Sequence, residues 1–546
     1  MKRVVFIFAA ILLCSPALSQ EWLEAALVLS GCATAEETDQ SVLDHYEYLH
    51  LRRVRINGGR LQELLTPYQI ASVQDYRHRY GDILSPAELA LVDGFSTEKV
   101  KALAPFLSFA SSRLPGAAVT DTLQLRVKAM SRADFSSVAG KLLVDAGDAA
   151  QAGYARRYYF DGRRGGSFFA TCNYPGGRFL AGNFNLRFGE GLLFWSGMQI
   201  NTLSSADGFS RRGGGLSPSW SLGGEGTFRG FAADYSRGAW GGMAFVSESG
   251  WGGRLSAIGQ SGSYGLNLLC SGGRYSMSAD IKQRLIGADF FGEAAVSRGR
   301  WALVGGTRFP LSDEVSAAFR LQALPSSWTG RKYGEYTAAA ALQYRGGKYV
   351  KIAGKSGFGS SELMHGLDAV ASFRLLPVPL EDPGRKEFRT VVSWGFRPDS
   401  LIRTDTRFIL RLRSYEAARA ELRADAQVSD GTVSARLRLH GAWCGSPGFL
   451  AYAEYGWQGK VQLWLRGTVY RTGSWASRIY VYERDVPGSF SVPACYGEGS
   501  SLSLLCAHSY KARHFRLKSG LRGWISAAKK PGTKAGLRVQ FTLEYQ

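Results

Sequence analysis

The chain has 546 residues, is rich in glycine (67) and in Phe (30), Tyr (25) and Trp (13), and carries a formal charge of +21 at pH 7, with a mean hydropathy of −0.12. No run of about eighteen consecutive apolar residues follows the N-terminus, which excludes a transmembrane helix. The sequence contains no P-loop, no dinucleotide fingerprint and no H-E-x-x-H, which excludes the common nucleotide and zinc enzymes.

In chain order, Met1-Lys2-Arg3, the apolar run Val4 to Cys14 and Ala17-Leu18-Ser19 make a secretory signal over residues 1–19. Leu12 and Leu13 precede Cys14 where a lipoprotein signal would place a small residue, so lipid anchoring is the weaker reading. Removing the signal takes away Lys2 and Arg3 and no acid, which leaves +19. Such a balance implies an anionic neighbour (lipopolysaccharide, nucleic acid or an acidic solute) or a lumen whose arginines pair with acids, and both remain open.

Residues 20–112 show the one convincing 3.6-residue periodicity. Thr66-Pro67-Tyr68-Gln69 is a capping box, and Ser85-Pro86-Ala87-Glu88 repeats it. Ile70, Val73 and Tyr76 form an apolar stripe that runs up to Gly81, a helix end. Asp93-Gly94-Phe95-Ser96 turns the chain into Thr97 to Ala104, and Pro105 stops that helix. A linker is expected over 113–119.

From Thr120 the pattern changes to period 2, with Leu123, Leu125, Val127 and Ala129 on one face. In Lys460 to Tyr470, the alternation turns Val461, Leu463, Leu465 and Val469 towards lipid and Gln462, Arg466 and Thr468 towards a lumen. The same logic places Phe408, Leu410 and Leu412 outward with Arg407, Arg411 and Arg413 inward, and Leu437 and Leu439 outward with Arg436, Arg438 and His440 inward. Short Gly-rich turns followed by an aromatic recur at Arg237–Trp240, Ser249–Trp251, Gly272–Tyr275, Arg298–Trp301 and Gly346–Tyr349, as hairpins with an aromatic girdle require.

This gives the fold class: mainly β, a large antiparallel outer-membrane β-barrel over 120–546, with about 22 to 26 strands at roughly 17 to 20 residues per strand and connection. The competing reading is a soluble sandwich or propeller. A barrel of this size cannot fill itself with wall side chains, so it is plugged or it conducts. Arg211 to Glu225 is Gly- and Ser-rich without alternation, and either caps the barrel or folds inward as a constriction in which Arg211, Arg212 and Glu225 meet wall charges. Asp485-Val486-Pro487-Gly488 marks another structured loop. The terminal strand carries Leu537, Val539, Phe541, Leu543 and Tyr545, a pattern that resembles the signal read by barrel insertion machinery.

Cys32, Cys172, Cys270, Cys444, Cys495 and Cys506 are scattered, so no metal site and no cofactor is expected. Spacing leaves a Cys495–Cys506 disulfide open. The seven histidines join no catalytic constellation, and a non-enzymatic role is expected.

Helix, tight hairpin and helix, twice over, resembles the tandem helix-hairpin-helix module of bacterial competence-type DNA-binding proteins. The likeness covers about 56–107, from Ile56-Asn57 through Leu64-Leu65, Tyr76-Arg77, Gly81, Glu88-Leu89 and Val92 to Gly94-Phe95. Leu65-Thr66-Pro67 stands where that family has glycines, and the second hairpin keeps Gly94 but has Ser96 in the place of the second glycine. The barrel resembles that of Bacteroidetes-type secreted proteins that join this module to a large β-barrel, through Gly182–Leu193, Arg211–Gly230 and Tyr482–Pro493. The resemblance implies a periplasmic helical domain gripping duplex DNA without base specificity through Tyr68, Arg77, Gly94, Phe95, Ser96, Lys99 and Lys101, and aiding DNA uptake. The alternative is a channel or assembly protein whose helical module plugs the barrel or docks a periplasmic protein. Either way, the outer membrane's lipid and lipopolysaccharide and the insertion machinery are expected partners.

Overall fold

The structure is a computed structural model and describes residues 21–111 and 126–545, apart from 31–33, 39, 59, 147–148, 197–202, 204–205, 224–225, 260–261, 313, 326–327, 329–334, 355–356, 377–384, 399–400, 460, 487–488, 513 and 530–531. The expected signal peptide, the linker 113–119, Leu123, Leu125, Cys14, Cys32, Glu225, Pro487 and Gly488 lie outside the described residues.

Among the described residues, 24 antiparallel strands close into a barrel. The strand Lys534–Tyr545 completes the ring by pairing with Arg126–Asp134 in the register Tyr545↔Val127. Period-2 sequence produces the two faces. In Val461–Thr472, Leu465 and Val469 are about half exposed (46% and 54%) while Arg466 and Thr468 are buried. The other strands singled out by alternation behave alike: Phe408, Leu412, Leu437 and Leu439 are exposed, and Arg407, Arg438 and His440 are buried. A closed ladder with an apolar outer face and a polar inner one satisfies every backbone donor within lipid, so the chain is a membrane-spanning β-barrel.

Trp240, Trp251, Tyr275 and Trp301 follow their turns on the exposed surface, as a girdle requires. Gly346–Tyr349 corrects the pattern. These residues lie inside the long strand Glu335–Gly354, paired Gly346↔His365 through Tyr349↔Glu362, and form no turn. Continuous pairing with Gly357–Leu376 overrides the local turn preference of two adjacent glycines.

Antiparallel order places the start of the first wall strand and Tyr545 on one rim, called here the terminal rim. The connections there have two to four residues, whereas the two longest connections, 188–227 and 473–497, leave from the opposite rim.

Before the wall come helices α1 (Glu21–Ser30), α2 (Gln40–Arg52), α3 (Pro67–Tyr80), α4 (Pro86–Leu89) and α5 (Thr97–Leu103). The capping box forms in full: Thr66 Oγ1 accepts from Gln69 N at 3.4 Å, and Gln69 Oε1 accepts from Thr66 N at 3.1 Å. At Ser85 only half of it forms, because Glu88 takes the N–H of Leu84 (2.8 Å) instead. Gly81 ends α3 at φ 95°, where its N–H donates to Arg77 O. A small parallel pairing of Val54–Arg55 with Leu107–Ser108, which no local pattern announces, ties the region together. Buried Asn57 reinforces it, exchanging hydrogen bonds with the backbone of Ile83 at 2.8 and 2.9 Å.

The largest apolar core lies inside the barrel. Leu49, Ile56, Val73, Leu89, Leu103 and Phe106 of the helical region pack in one cluster with Met130, Ala139, Leu143, Ala155 and Phe169 of the wall. Small inward residues allow this approach. At Gly153 a Cβ would sit 2.2 Å from the Phe169 ring, so glycine makes room for Phe169, which meets Tyr48 edge-on at 6.2 Å.

Candidate functional site

Three inserts meet inside the wall. The first is the helical region, whose acids face the inward cations of the strands. On α2, Asp44 and Glu47 lie 3.3 and 2.9 Å from Lys141, Glu47 also faces Lys128 at 3.7 Å, and Tyr48 donates its hydroxyl to Gln151. Glu63 lies 2.7 Å from Arg178, both side chains being wholly buried, and also pairs with Arg52 (2.7 Å) and Arg60 (3.3 Å). Burial opposes the ionisation of Glu63, but Arg178, Arg52 and Arg60 outweigh it and hold the carboxyl at about 2. Glu47 is likewise buried and is brought to about 2 by Lys141 and Lys128.

The second insert is the loop 188–227. Its short strand Gly215–Pro218 continues the pairing of Phe184–Arg187, and Glu190 receives Arg320 and Lys282 from the wall at 3.1 and 3.3 Å. Arg211 donates its backbone N–H to Glu190 (3.1 Å), accepts from Lys282 at its carbonyl and lies 4.8 Å over the Trp195 ring. Arg212 reaches the helical region, donating to Leu64 O at 3.0 Å. The segment therefore folds inward, with Arg212 binding the first insert's backbone. Trp220 slots its indole N–H onto Leu142 O (3.2 Å) and lies under Lys141.

The third insert is the loop 473–497. Asp485 pairs with Arg522 (3.0 Å) and Arg538 of the wall, Arg484 with Glu454 (2.9 Å), and Val481 and Val486 are buried. Tyr482 donates its backbone N–H to Glu36 Oε1 at 3.1 Å, which joins this loop to the helical region.

Glu36 and Glu37 carry the helical region deepest among the wall arginines. Arg438 holds Glu36 at 2.6 Å and Arg423 at 3.4 Å, while Arg407 and Arg389 hold Glu37 at 2.5 and 3.5 Å. Although buried, Glu36 is held far below the ordinary carboxylate range by Arg438 and Arg423. Above them a cavity of about 530 Å³ rises towards the opposite rim. Of the arginines expected in the lumen, Arg407, Arg411 and Arg413 line it, while Arg436 and Arg438 sit just behind, on Asp425 at 3.5 and 2.7 Å. Arg413 and Arg411 share Glu387 at 2.7 and 3.9 Å.

The residues expected to grip DNA lie near the terminal rim. Tyr68 donates its hydroxyl to Asp93, and its ring lies 4.6 Å from the guanidinium of wall residue Arg284. Arg77 pairs with Asp82 at 3.2 Å. Gly94 adopts φ 83°, with a Cβ position only 2.9 Å from Tyr68, and its carbonyl accepts from Gln69. Phe95 is buried in the helical core. Ser96 caps α5 by accepting from the backbone N–H of Lys99 (3.3 Å), while Lys99 and Lys101 are exposed. Thr66 and Ser96 each accept one first-turn N–H, from Gln69 and Lys99, in the helices that follow the two hairpins.

Sequence reasoning missed Glu36, Glu37, Asp44, Glu47 and Glu63, the acids that join the helical region to the wall. Asp44 and Glu47 lie on α2 and Glu36, Glu37 and Glu63 in short 3-10 turns, and their partners lie up to about four hundred positions away. Cys172, Cys270, Cys444, Cys495 and Cys506 are free thiols, so Cys495 and Cys506 are unbridged.

No family model and no curated protein matches the chain. Among solved structures it is similar to OccK11 (OpdR) of Pseudomonas aeruginosa, at 8% identity over 77% of this chain and 94% of that one, with a TM-score of 0.29. It is also similar to the siderophore receptor PirA of the same organism, at 9% identity over 77% and 80% (TM-score 0.40). A third is the P pilus usher PapC translocation pore, at 8% identity over 77% and 98% (TM-score 0.27).

Proposed function

We propose that this chain is an outer-membrane channel held closed by its own N-terminal helical region and the two inward loops. The observation that carries this reading is the wholly buried Glu63–Arg178 pair, in which an acid of the helical region neutralises a cation of the wall. A wall arginine left alone there would be costly, so the docked arrangement is the one for which this wall is built. In this reading the terminal rim, with its short turns, faces the periplasm, and the long loops leave from the outer face. The strand ending at Tyr545 would be read by the insertion machinery, and the outer belt would contact lipid and lipopolysaccharide.

Planar-bilayer recording tests the closure. The full chain passes little current, and deleting residues 21–111 opens a wide conductance; equal conductance with and without them overturns the reading.

The DNA-binding reading keeps one observation in its favour, the exposure of Lys99 and Lys101 on α5 beside the second hairpin. Their position also suits a periplasmic protein that engages the helical region from the terminal rim. Salt-sensitive retention of duplex DNA by the full chain, lost in K99Q/K101Q, would favour DNA; no retention at low salt removes it.

A further inference from the structure

The cavity above Glu36 and Glu37 has an unbalanced lining: seven arginines face four glutamates. Just behind the lining, Arg436 and Arg438 add two cations and Asp425 and Glu387 two acids, which leaves the same excess of three positive charges. The Nε atoms of Arg389, Arg407 and Arg411 are buried and make no hydrogen bond among the described residues, whereas Arg423 Nε faces Asp425 at 3.0 Å. Unused guanidinium donors converging on one space, with charge in excess, make a site that takes anions in the planar, two-pronged manner of arginine. The cavity's size is that of a small-molecule pocket. It reaches solvent beside Glu416 and Trp475, which are about half exposed.

We propose that this vestibule binds a soluble polyanion, a small molecule with two or more phosphate or carboxylate groups, and that Glu36 and Glu37 occupy the places of two of those groups. The two glutamates enter from the helical region and bind Arg438, Arg423, Arg407 and Arg389 as a ligand's acid groups would. A long polyanionic chain would have no exit, because the floor is closed by these glutamates and by the backbone of Tyr482. Lipid does not reach the inner face of the wall. The site belongs to the wall arginines and stands whether or not the barrel conducts.

Isothermal titration of the purified full chain, in detergent free of lipopolysaccharide, tests this with inorganic tripolyphosphate and with citrate. One saturable site is expected, weakened about tenfold or more in R407Q/R411Q and tightened in E36Q/E37Q, where the internal competitors are gone. R411Q alone, at a residue whose acid partner Glu387 belongs to the wall, weakens binding without disturbing the helical region. Arg237→Gln, exposed on the terminal rim, leaves the affinity unchanged and controls for general charge. Heat-modifiable mobility of each variant confirms an intact barrel. Equal affinity in R407Q/R411Q and the parent overturns the site, as does weaker binding in E36Q/E37Q. Binding seen only with added lipopolysaccharide, and with neither soluble anion, overturns the soluble class. A wild-type barrel that conducts freely would end the closed-channel reading and leave this result standing.

Discussion

The helical region is fastened to the wall at two places that differ in their physics. Near the terminal rim, Glu63 and Arg178 are completely buried, and the adjoining contact is apolar, with Leu49, Val73 and Phe106 in one cluster with Met130, Ala139 and Leu143. At the vestibule, Glu36 and Glu37 keep 12% and 15% of their side-chain surface beside an open cavity. Charges in a dry setting interact strongly and ignore salt, whereas charges beside water are screened. The first contact therefore works as an anchor. The second works as a clamp that another anion can enter.

The most severe way to break this contrast is Glu63→Ala, which takes the carboxylate away from the wholly buried Arg178, while Arg60 keeps Asp234. Protection of the helical region from protease, followed through a urea titration of the full chain, should fall by about 3–5 kcal/mol. A loss under about 1 kcal/mol would place this pair among ordinary surface pairs.

Acid should attack the anchor next. Burial, then Arg187, hold His45 at about 3, and burial holds His50 at about 4. Both are depressed, so the stability they lend the docked state is complete above pH 6.5 and falls as the pH drops from there towards 4 and 3. Each proton refused by the docked form contributes up to about 1.4 kcal/mol per pH unit. Glu47 and Glu63, held at about 2, act lower: their share is complete above pH 4.5 and is lost as the pH falls to about 2. His45→Gln should flatten the loss between pH 6 and 4 in the same protease assay; an unaltered profile would remove His45 from the acid response.

At the clamp, Arg407→Gln should cost about 1 kcal/mol and speed hydrogen exchange at residues 34–38 only, leaving α3 as it was. Spread of the effect to Val73 and its neighbours would mean that clamp and anchor act as one unit. The smallest effect belongs to Arg79→Ala, on a largely exposed pair with Asp75. Its loss should stay within about 0.5 kcal/mol in the urea titration.

The wall was legible in the sequence because a strand's two faces alternate every residue, so Arg466 between Leu465 and the next outward position announces both lipid and lumen. The capping box at Thr66 was legible because its partners are three residues apart. Gly346-Gly347 misled because a local turn preference yields when a neighbouring strand supplies a continuous ladder. The seating of the helical region against the inner wall was visible only as one of two alternatives. Nothing local to Glu36 or Glu63 distinguishes a carboxylate meant for solvent from one meant for an arginine on a distant strand. The vestibule shared that difficulty: its arginines were visible one strand at a time, but their convergence depends on closing the ring. The turns named in the hairpin resemblance lead into helices capped by Thr66 and Ser96, and their bearing on DNA rests with the binding test.

Hydrogen exchange on the intact protein at low and high salt separates anchor from clamp most directly. Amides of Val73, Leu103 and Phe106 should stay protected at both, while residues 34–38 should exchange several-fold faster at about 1 M salt, where screening acts within about 3 Å. Uniform acceleration across the helical region, or none at residues 34–38, would contradict the two-contact account.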